Sequence, residues 1–168
     1  MKNRSIVLTG MAGVGKSTIG RILAKELGYR FIDLDHYIRH KDGRTVQQVI
    51  DDAGDEALLQ LEKERMREIC LKDVVVAPGG SIIYHHDLMT YLKENSTIVY
   101  LEDCFDNIAR RLSKNQHRRG IVGLKSKSLK QIYEERKPLY PQYADITIHC
   151  AGKNTGQIVS EIIAHFRA

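Results

Sequence analysis

Short apolar runs alternate with longer amphipathic stretches along the 168-residue chain. Runs at residues 6–8, 31–32, 74–77, 98–101 and 146–148 are bounded by polar or glycine-bearing segments and predict buried strands. Between them, apolar residues at helical spacing predict helices near 16–27, 46–51, 57–71, 88–93, 105–112 and 129–140. A last helix, 157–166, carries Ile158, Ile162 and Phe166 on one face, with Asn154 or Thr155 able to cap it. This alternation predicts a single α/β domain, 1–168, in which helices cover both faces of a parallel sheet. Ligands of such sheets bind at the carboxyl ends of the strands. The basic, glycine-bearing stretch 113–128 is the one long segment with little apolar periodicity.

Composition narrows the class without naming a function. A hydrophobic content of 42% with 28% charged residues is that of an ordinary globular protein, and no apolar run reaches membrane-spanning length. Lys2 and Arg4 before an apolar start imitate a signal peptide, but the run ends at Lys16 inside a glycine motif and reads as a strand and its loop. Cys70, Cys104 and Cys150 are odd in number and form no CxxC pair, which fits free core thiols in a reducing cytoplasm. A net charge of +5 suits anionic ligands such as nucleotides, although plain surface lysines and arginines give the same balance. A monomer is the default for this size.

Chemistry enters at residues 10–18, GMAGVGKST, which match GxxxxGK[ST] between a strand and an amphipathic helix. Gly13, Val14, Gly15 and Thr18 belong to a loop whose amides can wrap phosphate oxygens beside the positive end of a helix. Lys16 can reach the β- and γ-phosphates of ATP, and the Ser17 hydroxyl can bind Mg²⁺. The run 74–77 ends in Pro78-Gly79-Gly80, where a switch or motor would carry an acidic metal partner, and no guanine-reading NKxD element is present. These features point to a small phosphotransferase. Asp33 and Asp35 close the second predicted strand, and a period of two puts both carboxylates on one face. One can hold a metal-bound water and the other can orient an acceptor hydroxyl.

With these pieces in place, the chain resembles the shikimate kinase family over essentially its whole length. The matching segments are GMAGVGKSTIGRILAKELG, FIDLD, DGRTVQQVI, a GD-x6-E stretch, PGG, YLE, Arg110-Arg111 and ERKPLYPQYAD. The resemblance implies a three-layer P-loop kinase fold with a five-stranded parallel sheet in the order 2-3-1-4-5. It also implies a substrate subdomain near 33–62 and a mobile lid near 116–126. By the same likeness Asp33 assists Mg²⁺, Asp35 contacts the acceptor hydroxyl, and Gly79 and Gly80 offer backbone to the acceptor. Arg136 grips its carboxylate, Arg110 lies against the adenine, and Arg118 or Arg119 reaches the phosphates from the lid.

Three departures bear on the acceptor. The family's GExxFRxxE reads here as 54–62 with Leu58-Leu59, so an arginine that would face the shikimate carboxylate is a leucine. A charge-assisted contact of roughly a few kcal/mol is lost with it. Lys63 is the expected substitute, with Arg65 and Arg67 as alternatives. Pro78 replaces the first glycine of a GGG, and the lid's RPLL becomes Arg118-Arg119 followed by GIVGL. The expected activity is transfer of the γ-phosphoryl of MgATP to a small, anionic acceptor, shikimate first. The alternatives are another polyol, a sugar acid or a nucleoside monophosphate as acceptor. A nucleic-acid binder using His117, Arg118, Arg119, Lys125 and Lys127 is the reading from another class. His85-His86 after the glycine turn either line the acceptor site or start the next helix.

Overall fold

The computed structural model describes residues 4–114 and 120–168. Strands β1 (Ser5–Thr9), β2 (Arg30–Asp33), β3 (Val74–Ala77), β4 (Thr97–Glu102) and β5 (Ile146–His149) form one sheet. All pair in parallel, in the order β2-β3-β1-β4-β5, as the family resemblance implied. Ile6 of β1 lies opposite Val75 on one side and Thr97 on the other. β1 and β3 are buried at every residue. A strand covered on both faces has no reason to alternate with polar residues, which is why these runs read as continuously apolar.

Period two still sorts the side chains. Ile6, Leu8, Val75, Val99 and Leu101 face α1 (Lys16–Leu27) and α9 (Thr155–Arg167), whose Ile19, Leu23, Ile158 and Ile162 complete that layer. Val7, Val74, Val76, Ile98 and Tyr100 face the opposite layer. That layer is built from α2 (Leu34–Asp42), α3 (Val46–Ala53), α4 (Asp55–Glu68), α5 (His86–Asn95), α6 (Phe105–Lys114), α7 (Leu129–Arg136) and α8 (Tyr140–Tyr143). α3, α7 and α9 each begin with a complete capping box, Thr45 with Gln48, Ser128 with Gln131 and Asn154 with Gln157.

Three expectations change. Of the three thiols expected in the core, Cys150 is buried while Cys70 and Cys104 are exposed. The carboxylates of Asp33 and Asp35 do not share a strand face, because β2 stops at Asp33. The Asp33 side chain accepts hydrogen bonds from the Asp35 and His36 amides, at 3.0 and 3.3 Å, and so caps α2, whose first turn contains Asp35. The single helix expected over 129–140 is broken, since Pro138 has no N–H to continue it and the Leu139 amide turns back to the Arg136 carbonyl. Among the described residues no helix is long and apolar enough to cross a membrane. The carboxyl ends of β1, β2 and β3 thus open side by side onto the P-loop, Asp33 and Pro78-Gly79-Gly80.

Candidate active site

One cavity of about 370 Å³ lies over these strand ends. Its first wall is the loop between β1 and α1. Gly13 and Gly15 adopt φ of 85° and 105°, a left-handed backbone that side chains resist, and a Cβ at Gly13 would sit 2.8 Å from Leu112 of α6. The loop can therefore turn its amides toward the start of α1 while α6 closes against it. Gly15, Lys16, Ser17 and Thr18 line the cavity with Gly13. Val14 does not: it is buried among Ile19, Leu23 and the α9 residues, and its amide is held by the Met11 carbonyl at 3.2 Å. The Lys16 ammonium bonds the Gly10 and Met11 carbonyls at 2.7 and 2.9 Å, which keeps it over the loop. Ser17 Oγ donates to Asp33 Oδ2 at 2.5 Å. This pair of oxygens is the donor type that a hard divalent cation takes beside a phosphate.

The opposite wall joins Asp35, Glu62, Gly79, Gly80, Ser81 and Arg136. Glu62 is 2% exposed and receives Ser81 Oγ at 2.7–2.8 Å from its two oxygens. Burial pushes its carboxyl up to about 8; Ser81 opposes that rise, Asp35 adds to it, and Arg136 and Lys16 oppose it. Arg136 is 1% exposed, donates from Nη2 to the Val122 carbonyl at 2.9 Å and from Nε to Tyr84 OH at 3.2 Å. The Tyr140 hydroxyl, buried beside it, donates to the Gly80 carbonyl at 2.9 Å. A Cβ at Gly80 would meet Arg136 Nη1 at 3.0 Å and both Gly10 O and Tyr140 OH at 3.1 Å, so a side chain there crowds all three. At Gly79 a Cβ would lie 3.5 Å from Glu62 and 3.8 Å from Asp35, between the two carboxyls. Gly120, Ile121 and Val122 cover the cavity from the third side.

The structure thus brings Gly13, Gly15, Lys16, Ser17, Thr18, Asp33, Asp35, Gly79, Gly80 and Arg136 to one cavity. Besides Val14, two expected residues fall elsewhere. Lys63 is committed to Asp87 at 2.6 Å and does not reach the cavity wall. Arg65 and Arg67 offer no replacement, since Arg65 grips Asp42 at 2.7 Å and Arg67 bonds Asp87 at 3.2 Å. Arg110 points outward and donates to Asn107; its neighbour Arg111, one helical step on, lines the cavity and reaches the Gly13 carbonyl at 3.4 Å. Arg118 and Arg119 lie outside the described residues. His86 begins α5 and bonds Tyr143, and neither it nor His85 is on the cavity wall.

Sequence reasoning met Glu62 and Arg111 in the matching motifs but gave them no role, and it passed over Asp103, the partner of Arg111. Glu62 had a legible signal, because it stands four residues from both Leu58 and Met66 on the buried stripe of α4. Asp103 is buried just past β4 and receives Arg111 Nη1 at 2.9 Å, Asn107 at 2.8 Å and the Cys104 amide at 2.8 Å. Burial works against its ionisation, but these hydrogen bonds prevail and hold its carboxyl below the usual range.

A family model described as shikimate kinase matches residues 12–167. The chain belongs to the shikimate kinase family. A shikimate kinase of Persephonella marina is 35% identical, over 98% of this chain and 99% of its own. Among solved structures, a shikimate kinase from Acinetobacter baumannii in complex with shikimate superposes with a TM-score of 0.87 at 28% identity, covering 96% of this chain and 91% of that one. The shikimate kinase from Aquifex aeolicus gives 0.82 at 26%, covering 97% and 96%. Family membership makes the protein a kinase, a phosphotransferase with an alcohol acceptor.

Proposed function

We propose that the protein phosphorylates shikimate, transferring the γ-phosphoryl of ATP to give shikimate 3-phosphate. One observation carries this most directly: across a single cavity the P-loop faces Asp35, the Gly79-Gly80 backbone and Arg136, in a chain of the shikimate kinase family. The loop amides and Lys16 hold the donor phosphates. Ser17 and Asp33 would hold Mg²⁺, which supplies charge neutralisation of the phosphates when bound. Asp35 accepts a hydrogen bond from the acceptor hydroxyl and aims it in line with the phosphorus, taking the proton late. Arg136 draws the acceptor carboxylate to the far wall, which fixes which hydroxyl faces the donor. Rate enhancement then comes from positioning and fixed charge.

The wall formed by 33–62 acts as the acceptor subdomain, and the lid expected at 116–126, of which 116–119 lie outside the described residues, serves to exclude water so that ATP is not hydrolysed. Purified protein with ATP, Mg²⁺ and a panel of hydroxy acids, sugars and nucleoside monophosphates tests the reading through ADP release. Turnover is expected with shikimate; turnover of a non-carboxylate acceptor with none of shikimate refutes it.

A further inference from the structure

Four cationic side chains lie on the described cavity wall. Lys16 sits in the P-loop, Arg111 bonds the Gly13 carbonyl, and Lys114 follows one turn later on α6. Arg136 alone among them stands at the opposite wall, so its orientation decides how an anionic group is received there. Tyr84 controls that orientation. It ends the short 3₁₀ turn Gly80–Tyr84 that begins at the acceptor backbone, and its ring centroid is 5.2 Å from the Arg136 guanidinium carbon. Its hydroxyl donates to Glu135 Oε2 at 3.0 Å, and Glu135 is held in turn by Lys127 at 3.0 Å. A phenol has one proton to give, so the hydroxyl presents a lone pair to Arg136 Nε at 3.2 Å. With Nε held there and Nη2 on the Val122 carbonyl, Nη1 is the nitrogen that lies beside Gly80 and the Tyr140 hydroxyl.

We propose that Tyr84 is a positioning residue for the acceptor, locking the Arg136 guanidinium so that its Nη1 edge meets the carboxylate of shikimate. The inference rests on the acceptor role proposed for Arg136. It adds a specificity element outside the cavity, because Tyr84 is 36% exposed and is not on the wall itself.

Tyr84→Phe keeps the ring and removes the hydroxyl. Its KM for shikimate should rise about five- to ten-fold, the size of one ordinary hydrogen bond acting through Arg136, with KM for ATP and kcat within about two-fold. In an Arg136→Lys background, which has no Nε to hold, the same change should have less than about a two-fold further effect. The Arg136 Nε–H signal in ¹⁵N NMR of the free protein should exchange with solvent faster in Tyr84→Phe than in wild type. An unchanged KM for shikimate, or equal effects in both backgrounds, overturns the proposal. Wild-type protein that gives no shikimate-dependent ADP removes the acceptor reading itself. The Nε–H signal then decides the positioning role alone, and unchanged exchange refutes it.

Discussion

Glu62→Gln should remove a pH dependence from the stability of the protein. The Glu62 carboxyl is 2% exposed, receives one hydroxyl from Ser81, and is faced by the charges of Asp35, Arg136 and Lys16. Burial raises its pKa from 4.5 to about 8, so the folded state prefers the protonated form. The sign follows from linkage. Stability from this group is complete below the unfolded value, declines as pH rises above about 4.5, and levels off above about 8. The rise of 3.5 (8 − 4.5) corresponds to roughly 5 kcal/mol over the whole range, and by pH 7 roughly 3 kcal/mol is already lost. Glutamine keeps the volume and an oxygen for Ser81, and it does not titrate. Urea unfolding between pH 5 and 8.5 should therefore show the variant gaining on wild type by roughly 4 kcal/mol across the series, with little difference at the acid end. Parallel curves for the two proteins would refute the burial argument.

The two acceptor glycines should respond differently to alanine. Gly80→Ala should lower unfolding stability by about 1–3 kcal/mol in denaturant titration, because its Cβ meets Arg136, Gly10 and Tyr140 at 3.0–3.1 Å. Gly79→Ala, with φ −65° and only ordinary contacts, should keep stability within about 1 kcal/mol while its methyl enters the space between Glu62 and Asp35 and raises KM for shikimate at least about ten-fold. Asp103→Asn should raise KM for ATP about five-fold and leave that for shikimate unchanged; the Arg111 side chain is 43% exposed, so the ion pair that holds it is worth only about 1 kcal/mol. Lys63→Ala should leave shikimate kinetics within about two-fold, since its ammonium serves Asp87, and steady-state assays of the pure variant check this.

What the sequence revealed and what it hid follow from the range of the interactions involved. The strands were legible because β1, β3 and β4 are buried on both faces and bounded by breakers, so a local apolar run carried the signal. The P-loop was legible because its glycines answer a local backbone requirement. The helix following Asp33 was not, since FIDLD satisfies both a strand and an aspartate cap, and only the sheet's end at Asp33 decides between them. Which of Arg110 and Arg111 lines the cavity was hidden for a similar reason. Adjacent helix residues differ by about 100° in direction, and the choice is made by buried Asp103, a partner eight residues back. Lys63 was drawn to the cavity by its spacing from Leu59, but Asp87 from α5 takes its charge.

Leu59 and Glu62 belong to one problem. They stand three apart on α4, where side chains of a helix meet, so an arginine at 59, as the family motif carries, would be within reach of Glu62 as well as of the cavity. Leucine removes both services at once. Leu59 packs against the apolar core, and no cation from α4 replaces it, since Lys63, Arg65 and Arg67 are each paired with acids away from the wall. A buried carboxylate deprived of a counter-ion has two outcomes: it acquires another cation or it keeps its proton. Arg136 is too committed, through Tyr84 and Val122, to serve Glu62 alone, and the carboxyl stays raised to about 8 despite it. Neutral Glu62 leaves Asp35 and Arg136 as the opposed charges of that wall, so Arg136 still has attraction to offer an anionic acceptor. A protonated Glu62 thus needs no cation from position 59, and on the proposed reading the acceptor carboxylate is left to one arginine, Arg136, aimed by Tyr84.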